Sequence, residues 1–215
     1  MKTLTILGST GSIGTSTLDV VRQNAGKYRV YALVAGQNIE VLLRQITEFK
    51  PKVVVVATGT ALASLTDQLS GSGIPSREWP DLSFGDRARV EAAVAPEVDF
   101  VMSAIVGVAG MEATYEAVLR KKSIGLANKE TLVASGRLVM DAVRETGTEL
   151  IPVDSEHNGA HQCLRAGRRA EVLRLILTES GGPFRNTPKE RLATVTPVEA
   201  LKDRKSTRLN SSHRH

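Results

Sequence analysis

Four short stretches carry residue types whose spacing could do chemistry. Asp154-Ser155-Glu156-His157 closes the apolar run Leu150-Ile151-Pro152-Val153. If strand geometry continues through it, residues 154 and 156 point the same way and their carboxylates face one spot. Converging carboxylates suit a hard divalent cation, Mg2+ or Mn2+. The same residues also read as a helix start, with Asp154 or Ser155 as cap and Glu156 in solvent. Asn128-Lys129-Glu130 follows Ile124-Gly125-Leu126-Ala127. A lysine there would neutralise a phosphate or hydroxyl oxygen; the alternative is an Asn-capped helix with an early acid. Ser180-Gly181-Gly182 reads either as a backbone nest for an anion or as a plain turn before Pro183.

The fourth stretch is Gly8-Ser9-Thr10-Gly11-Ser12-Ile13-Gly14, between the first strand pattern and the first helix pattern. Glycines let a backbone turn tightly and approach a pyrophosphate, and a helix amino terminus offers free N–H groups to it. The spacing is G-x-x-G-x-x-G and not G-x-G-x-x-G, so the common dinucleotide fingerprint is met only loosely. At the end of the second strand pattern stands Val34-Ala35-Gly36-Gln37-Asn38. An NAD site places an acid there for the ribose hydroxyls. With amides instead, a 2′-phosphate is not repelled, which favours NADPH.

These stretches need a scaffold, and the apolar pattern supplies one. Short apolar runs at 4–7, 30–34, 53–56, 100–103, 124–127 and 150–153 alternate with helical patterns at 39–49, 61–69, 87–93, 111–120 and 136–146. In the first helical stretch Ile13, Thr17, Val20 and Val21 fall on one side. Alternation of this kind predicts an α/β fold with a doubly wound parallel sheet, in which ligands gather at the carboxyl ends of the strands. Residues 71–85, rich in Gly, Pro and Ser, read as a surface loop. After Asp154 the rhythm changes. A strand-like 172–178 and a Pro-punctuated stretch predict the incomplete start of an α+β second domain, giving domains at 1–153 and 154–202.

Composition narrows the classes. Hydrophobic residues are 41% and aromatics only 4%, so the core is aliphatic. One cysteine, Cys163, excludes an internal disulfide and a thiolate cluster. No apolar run is long enough to cross a bilayer, which predicts a soluble, reducing compartment. The net charge of +5 does not point to nucleic acid, because residues 203–215 carry four basic residues and one acid. Subtracting that +3 leaves +2, with no basic stripe interleaved with aromatics. Residues 203–213 read as the translation of a common sequencing adapter, so 203–215 are expected to be foreign to the fold. His157 and His161 lack the H-E-x-x-H context of a zinc pair and are expected to play ordinary polar roles.

In order, GSTGSIG, AGQN, GLANKE, PVDSEH, ESGGPF and TPVEALK resemble the 1-deoxy-D-xylulose 5-phosphate reductoisomerase family across residues 1–202. Six motifs in one order are specific. The resemblance implies that Thr10, Gly11, Ser12, Ile13, Gly36, Gln37 and Asn38 hold NADPH, with Asn128 and Glu130 facing it. It implies catalytic parts for Lys129 and Glu156, metal binding by Asp154 and Glu156, and substrate contacts from Lys129, Ser155, Glu156 and Ser180. The reaction implied rearranges 1-deoxy-D-xylulose 5-phosphate and reduces the product to 2-C-methyl-D-erythritol 4-phosphate, in a bacterial cytoplasmic homodimer. Departures are Gln37, where some members place a basic residue, and Asn158-Gly159-Ala160-His161, where an apolar helix start is usual. The family continues beyond residue 202 with a flap and a third metal carboxylate, so this chain is expected not to turn over. Two alternatives remain: a nucleotide-binding module alone, or another oxidoreductase of this fold such as a semialdehyde dehydrogenase. The latter needs an activated cysteine, and Cys163 shows no sign of activation.

Overall fold

The computed structural model describes residues 1–176 and 182–201. Seven strands form one all-parallel sheet: β1 (Lys2–Leu7), β2 (Tyr28–Ala35), β3 (Val53–Val56), β4 (Asp81–Phe84), β5 (Phe100–Ser103), β6 (Ser123–Leu126) and β7 (Leu150–Pro152). They lie in the order β4-β3-β2-β1-β5-β6-β7. The central strands are mainly apolar because both faces are covered. On one face α1 (Ser12–Gln23), α2 (Ile39–Phe49) and α3 (Gly59–Gly71) pack onto Leu4, Ile6, Leu33, Val54 and Val56. On the other, α4 (Gly85–Val94), α5 (Met111–Leu119) and α6 (Glu130–Thr146) pack onto Leu7, Val34, Val55, Val101 and Ile124. Burying each such side chain is worth about 1.5–3 kcal/mol.

The sheet order reverses between β1 and β5. In such sheets that reversal opens a crevice beyond the strand ends. Register lines up the ends: Val34, Leu7, Ser103, Leu126 and Pro152 stand side by side across β2, β1, β5, β6 and β7. Every motif in the first 165 residues singled out above begins within a few residues of this row.

Several expectations are corrected. Residues 71–85 contain β4, an edge strand paired in parallel with β3. Its sequence, Asp-Leu-Ser-Phe, is half exposed and lacks an apolar run, so the turn residues around it hid it. On α1 the buried residues are Gly14, Leu18 and Val21, whereas Ile13 and Val20 are 36% and 51% exposed. Gly14 sets the contact face, because only it can sit against the turn. Ile13, Thr17, Val20 and Val21 do share a side, the wall of an apolar groove completed by Phe100, Met102 and Val153. Helix α6 starts at Glu130, with a kink at Ser135 (φ −142°) that broke its periodicity. Residues 172–176 form no strand, since none of the described residues offers them a ladder.

The chain divides into two compact units, Met1–Arg165 and Ala166–His215. The first therefore runs past the change of rhythm at 153/154 and includes α7 (Ser155–Arg165). The second contains 3-10 turns at Arg169–Glu171, Gly182–Phe184 and Lys189–Thr194 and a short α8 (Pro197–Leu201). Among the described residues no helix is long and apolar enough to cross a membrane.

Candidate functional site

The glycine turn is built from backbone alone. Gly8 has φ +89°, a conformation that L side chains resist, and a Cβ there would lie 2.6 Å from the Ala104 carbonyl oxygen. The turn after β1 thus abuts the loop after β5, at the reversal of the sheet. A Cβ on Gly14 would fall 2.5 Å from the Ser9 carbonyl oxygen and closer still to that of Gly8. Gly11 occupies the cap position of α1 with no side-chain cap, while its own N–H donates to the Gly8 carbonyl at 3.1 Å. The first amides of α1 are therefore left for a ligand, with the helix dipole behind them. Thr10 is half-buried; Gly11, Ser12 and Ile13 are exposed.

Beside the turn, at the end of β2, Gly36, Gln37 and Asn38 are all exposed. The Asn38 Oδ1 accepts from the Val41 N–H at 3.3 Å and so caps α2. No acid stands at the strand end itself; Glu40, in the first turn of α2, is paired to Arg44 at 3.0 Å.

At the end of β6 the Asn cap expected for α6 is not found. Lys129 holds the cap position, with no side-chain cap bond. Asn128 is buried instead, donating from Nδ2 to the carbonyls of Ile105 (2.7 Å) and Gly107 (3.1 Å). Its Oδ1 accepts from the Thr131 hydroxyl at 2.9 Å. Asn128 thereby holds the Ala104–Gly110 loop. A second tie comes from Thr114, whose hydroxyl donates to the Gly110 carbonyl at 2.7 Å and lies 2.7 Å from the Ser103 hydroxyl. This loop exposes Val106 (87%) and Val108 (57%) at the mouth of the crevice. The sequence reading missed it; the exposed apolar pair directly after a strand was the available signal.

At the end of β7, strand geometry stops at Pro152 and does not carry through residue 156. Ser155 opens α7, and the Asn158 N–H donates to the Asp154 carbonyl at 2.8 Å, so Asp154 stands where a cap would. Asn158 Nδ2 fastens this helix back to the Pro152 carbonyl at 2.6 Å. The two carboxyls still lie close enough across the first turn for Glu156 to act on Asp154. Lys129 Nζ lies 3.4 Å from Asp154 Oδ2, and His157 Nδ1 3.7 Å from Oδ1. Burial pushes the Asp154 carboxyl up. Glu156, the charge and hydrogen bond of Lys129, and His157 outweigh it, holding the group below the usual aspartate range. Two carboxyls held side by side, with a cation already drawn in, form an oxygen-donor set for a divalent ion. Among the described residues no group of three His, Cys, Asp or Glu side chains converges, so the set is a partial one. Ser180 lies outside the described residues, and so does the segment 203–215.

Two family models match, the 1-deoxy-D-xylulose 5-phosphate reductoisomerase domain over residues 4–136 and the C-terminal domain of the same enzyme over residues 150–206. The chain belongs to the 1-deoxy-D-xylulose 5-phosphate reductoisomerase family. It is 68% identical to the reductoisomerase of Solibacter usitatus (strain Ellin6076) over 201 residues, 94% of this chain and 51% of that protein. Identity to the reductoisomerase of Geotalea uraniireducens (strain Rf4) is 48% over the same length, with 50% of that protein covered. The Zymomonas mobilis reductoisomerase, solved in complex with NADPH, superposes with a TM-score of 0.78 at 44% identity, covering 93% of this chain and 51% of that one. A reductoisomerase solved with NADPH, fosmidomycin and magnesium gives 0.77 at 35% identity, covering 94% and 50%. The chain thus spans about half the length of the curated reductoisomerases it matches.

Proposed function

We propose that this chain is the cofactor-binding part, with the first metal ligands, of an enzyme that converts 1-deoxy-D-xylulose 5-phosphate to 2-C-methyl-D-erythritol 4-phosphate. The observation that carries the reading is the 3.4 Å approach of Lys129 to Asp154, with Glu156 beside it. It joins two clusters, 25 residues apart in sequence, at the ends of neighbouring strands. Three strand spacings, roughly 14 Å, separate this cluster from the glycine turn. An extended dinucleotide lying across the strand ends would bridge that distance.

Thr10, Gly11, Ser12 and Ile13 would cradle the pyrophosphate, and Gly36, Gln37 and Asn38 would meet the 2′-phosphate. Asn128 would keep the Ala104–Gly110 loop in place over the cofactor, with Glu130 at the same strand end. NADPH, when bound, supplies the hydride. Asp154 and Glu156 would hold Mg2+ or Mn2+, an ion that supplies Lewis-acid polarisation of a carbonyl. Lys129 would exchange its pairing with Asp154 for an anionic oxygen of the sugar phosphate, and Ser155, Glu156 and Ser180 would orient that substrate. Residues 154–202 would then begin the catalytic domain, a division supported by the family match at 150–206. A homodimer in a bacterial cytoplasm belongs to the same reading and rests on the family resemblance.

Because no third His, Cys, Asp or Glu converges with these two carboxylates among the described residues, the chain is expected to bind NADPH without turnover. Titration with NADPH and NADH, followed by an assay with the sugar phosphate and Mn2+, tests this. Tighter NADPH binding and no NADPH oxidation are predicted. A preference for NADH would refute the cofactor reading, and robust turnover would refute the partial site.

A further inference from the structure

We infer that Gln45 is a positioning residue for the pyrophosphate turn, acting through the Ser9 carbonyl; the inference rests on the cofactor reading above. Gln45 lies on α2 among Leu42, Ile46 and other apolar residues and is only 6% exposed. An amide is an expensive filler at such a place unless it is hydrogen-bonded. Its Nε2 donates to the Ser9 carbonyl oxygen at 2.9 Å, across 36 residues of sequence. That bond is its one tie among the described residues, since Gln45 Oε1 and the Ser9 hydroxyl are both buried without partners there. Gln45 is thus explained by the carbonyl it holds.

That carbonyl occupies a decisive place. Gly14 packs against the same carbonyl, where no Cβ fits. Gln45 and Gly14 together fix the plane of the Ser9–Thr10 peptide. Because a trans peptide sets C=O and N–H on opposite sides, pinning the Ser9 oxygen toward α2 sends the Thr10 N–H the other way. The turn then presents donors and not a carbonyl to an anion. Without the Gln45 donor the buried Ser9 oxygen has lost its partner, and a flip of this peptide would relieve it. The flip would aim a carbonyl dipole at the phosphates. Helix α2 also links the two halves of the site, since its cap is Asn38 and Gln45 comes two turns later, roughly 10 Å along the axis.

The test compares Gln45→Met, which keeps the volume and removes the donor, with the wild-type chain. Each is titrated with NADPH and with adenosine 2′-monophosphate, which lacks the pyrophosphate. NADPH affinity should fall about tenfold while adenosine 2′-monophosphate stays within about twofold. Gln45→Leu, also without a donor, should give the same ratio, and it stands in if Gln45→Met does not fold. Equal losses for both ligands would mean that Gln45 merely supports α2, and an unchanged NADPH affinity would overturn the assignment outright. Wild-type chain that binds neither ligand would sink the cofactor reading and this inference together.

Discussion

The turn after β1 and the turn after β7 both deliver a strand into a helix at the same edge of the sheet, yet they are built from opposite materials. The glycine turn is made of backbone packed to contact: Gly8 against Ala104, Gly14 against Ser9. The acidic turn is made of side chains, with Asp154, Glu156, Lys129 and His157 held by charge at a partly open surface. In the first, binding capacity and fold are one thing, because the amides offered to a ligand are those whose geometry the packing sets. In the second, the side chains can change with little effect on the fold. Substitutions should therefore damage stability and binding together at one end of the crevice, and separate them at the other.

The largest effect expected is at Gly14. A methyl group there meets two backbone carbonyls that cannot move aside as a side chain would. Gly14→Ala should cost about 1–3 kcal/mol in urea denaturation and abolish NADPH binding. Unchanged stability would show that the turn is looser than its contacts indicate. Next comes Asn128→Ala, which removes both ties to the Ile105 and Gly107 carbonyls. We expect a loss of roughly 1–3 kcal/mol and faster amide exchange confined to residues 105–110; exchange that rises evenly across the domain would contradict a local role.

Smaller effects sharpen the contrast. Gln37→Asp places an anion beside the expected 2′-phosphate and should weaken NADPH about tenfold, while NADH changes little. Parallel losses for both cofactors would put the 2′-phosphate elsewhere. The smallest change in stability is expected at Lys129, whose side chain is 59% exposed. Lys129→Met should alter stability by less than about 1 kcal/mol and raise Mn2+ affinity a few fold, since it removes the cation that competes for Asp154. Weaker Mn2+ binding in this variant would show that Lys129 assists the ion instead of standing in for it.

The sheet was legible because strands covered on both faces are mainly apolar, as Val53–Val56 and residues 100–102 are. Strand β4 was not, since an edge strand has no need of that run, and Asp81 and Ser83 look like turn residues. At the site, the glycine turn could be read from spacing because the positive φ of Gly8 and the packing of Gly14 on Ser9 are local constraints. For the acidic pair two geometries were open, strand alternation and a helix start, and the helix start is the one found, with α7 opening at Ser155. The pairing of Lys129 with Asp154 depends on β6 lying beside β7, and that adjacency is a property of topology, not of local sequence. Asn128 illustrates the same limit. Its type suggested a cap, but the partners of its Nδ2 lie more than twenty residues away, in the β5 loop.

On the reading proposed above, the acidic cluster is a cation site opening onto the same crevice as the glycine turn. Paramagnetic broadening of backbone amide signals by Mn2+ tests it directly. Broadening should be strongest at residues 154–157 and 128–130, reach the Ala104–Gly110 loop, spare Lys52 and Lys121 at the opposite edge of the sheet, and reverse with excess Mg2+. Broadening centred on another acidic surface, or spread evenly over the helices, would contradict it.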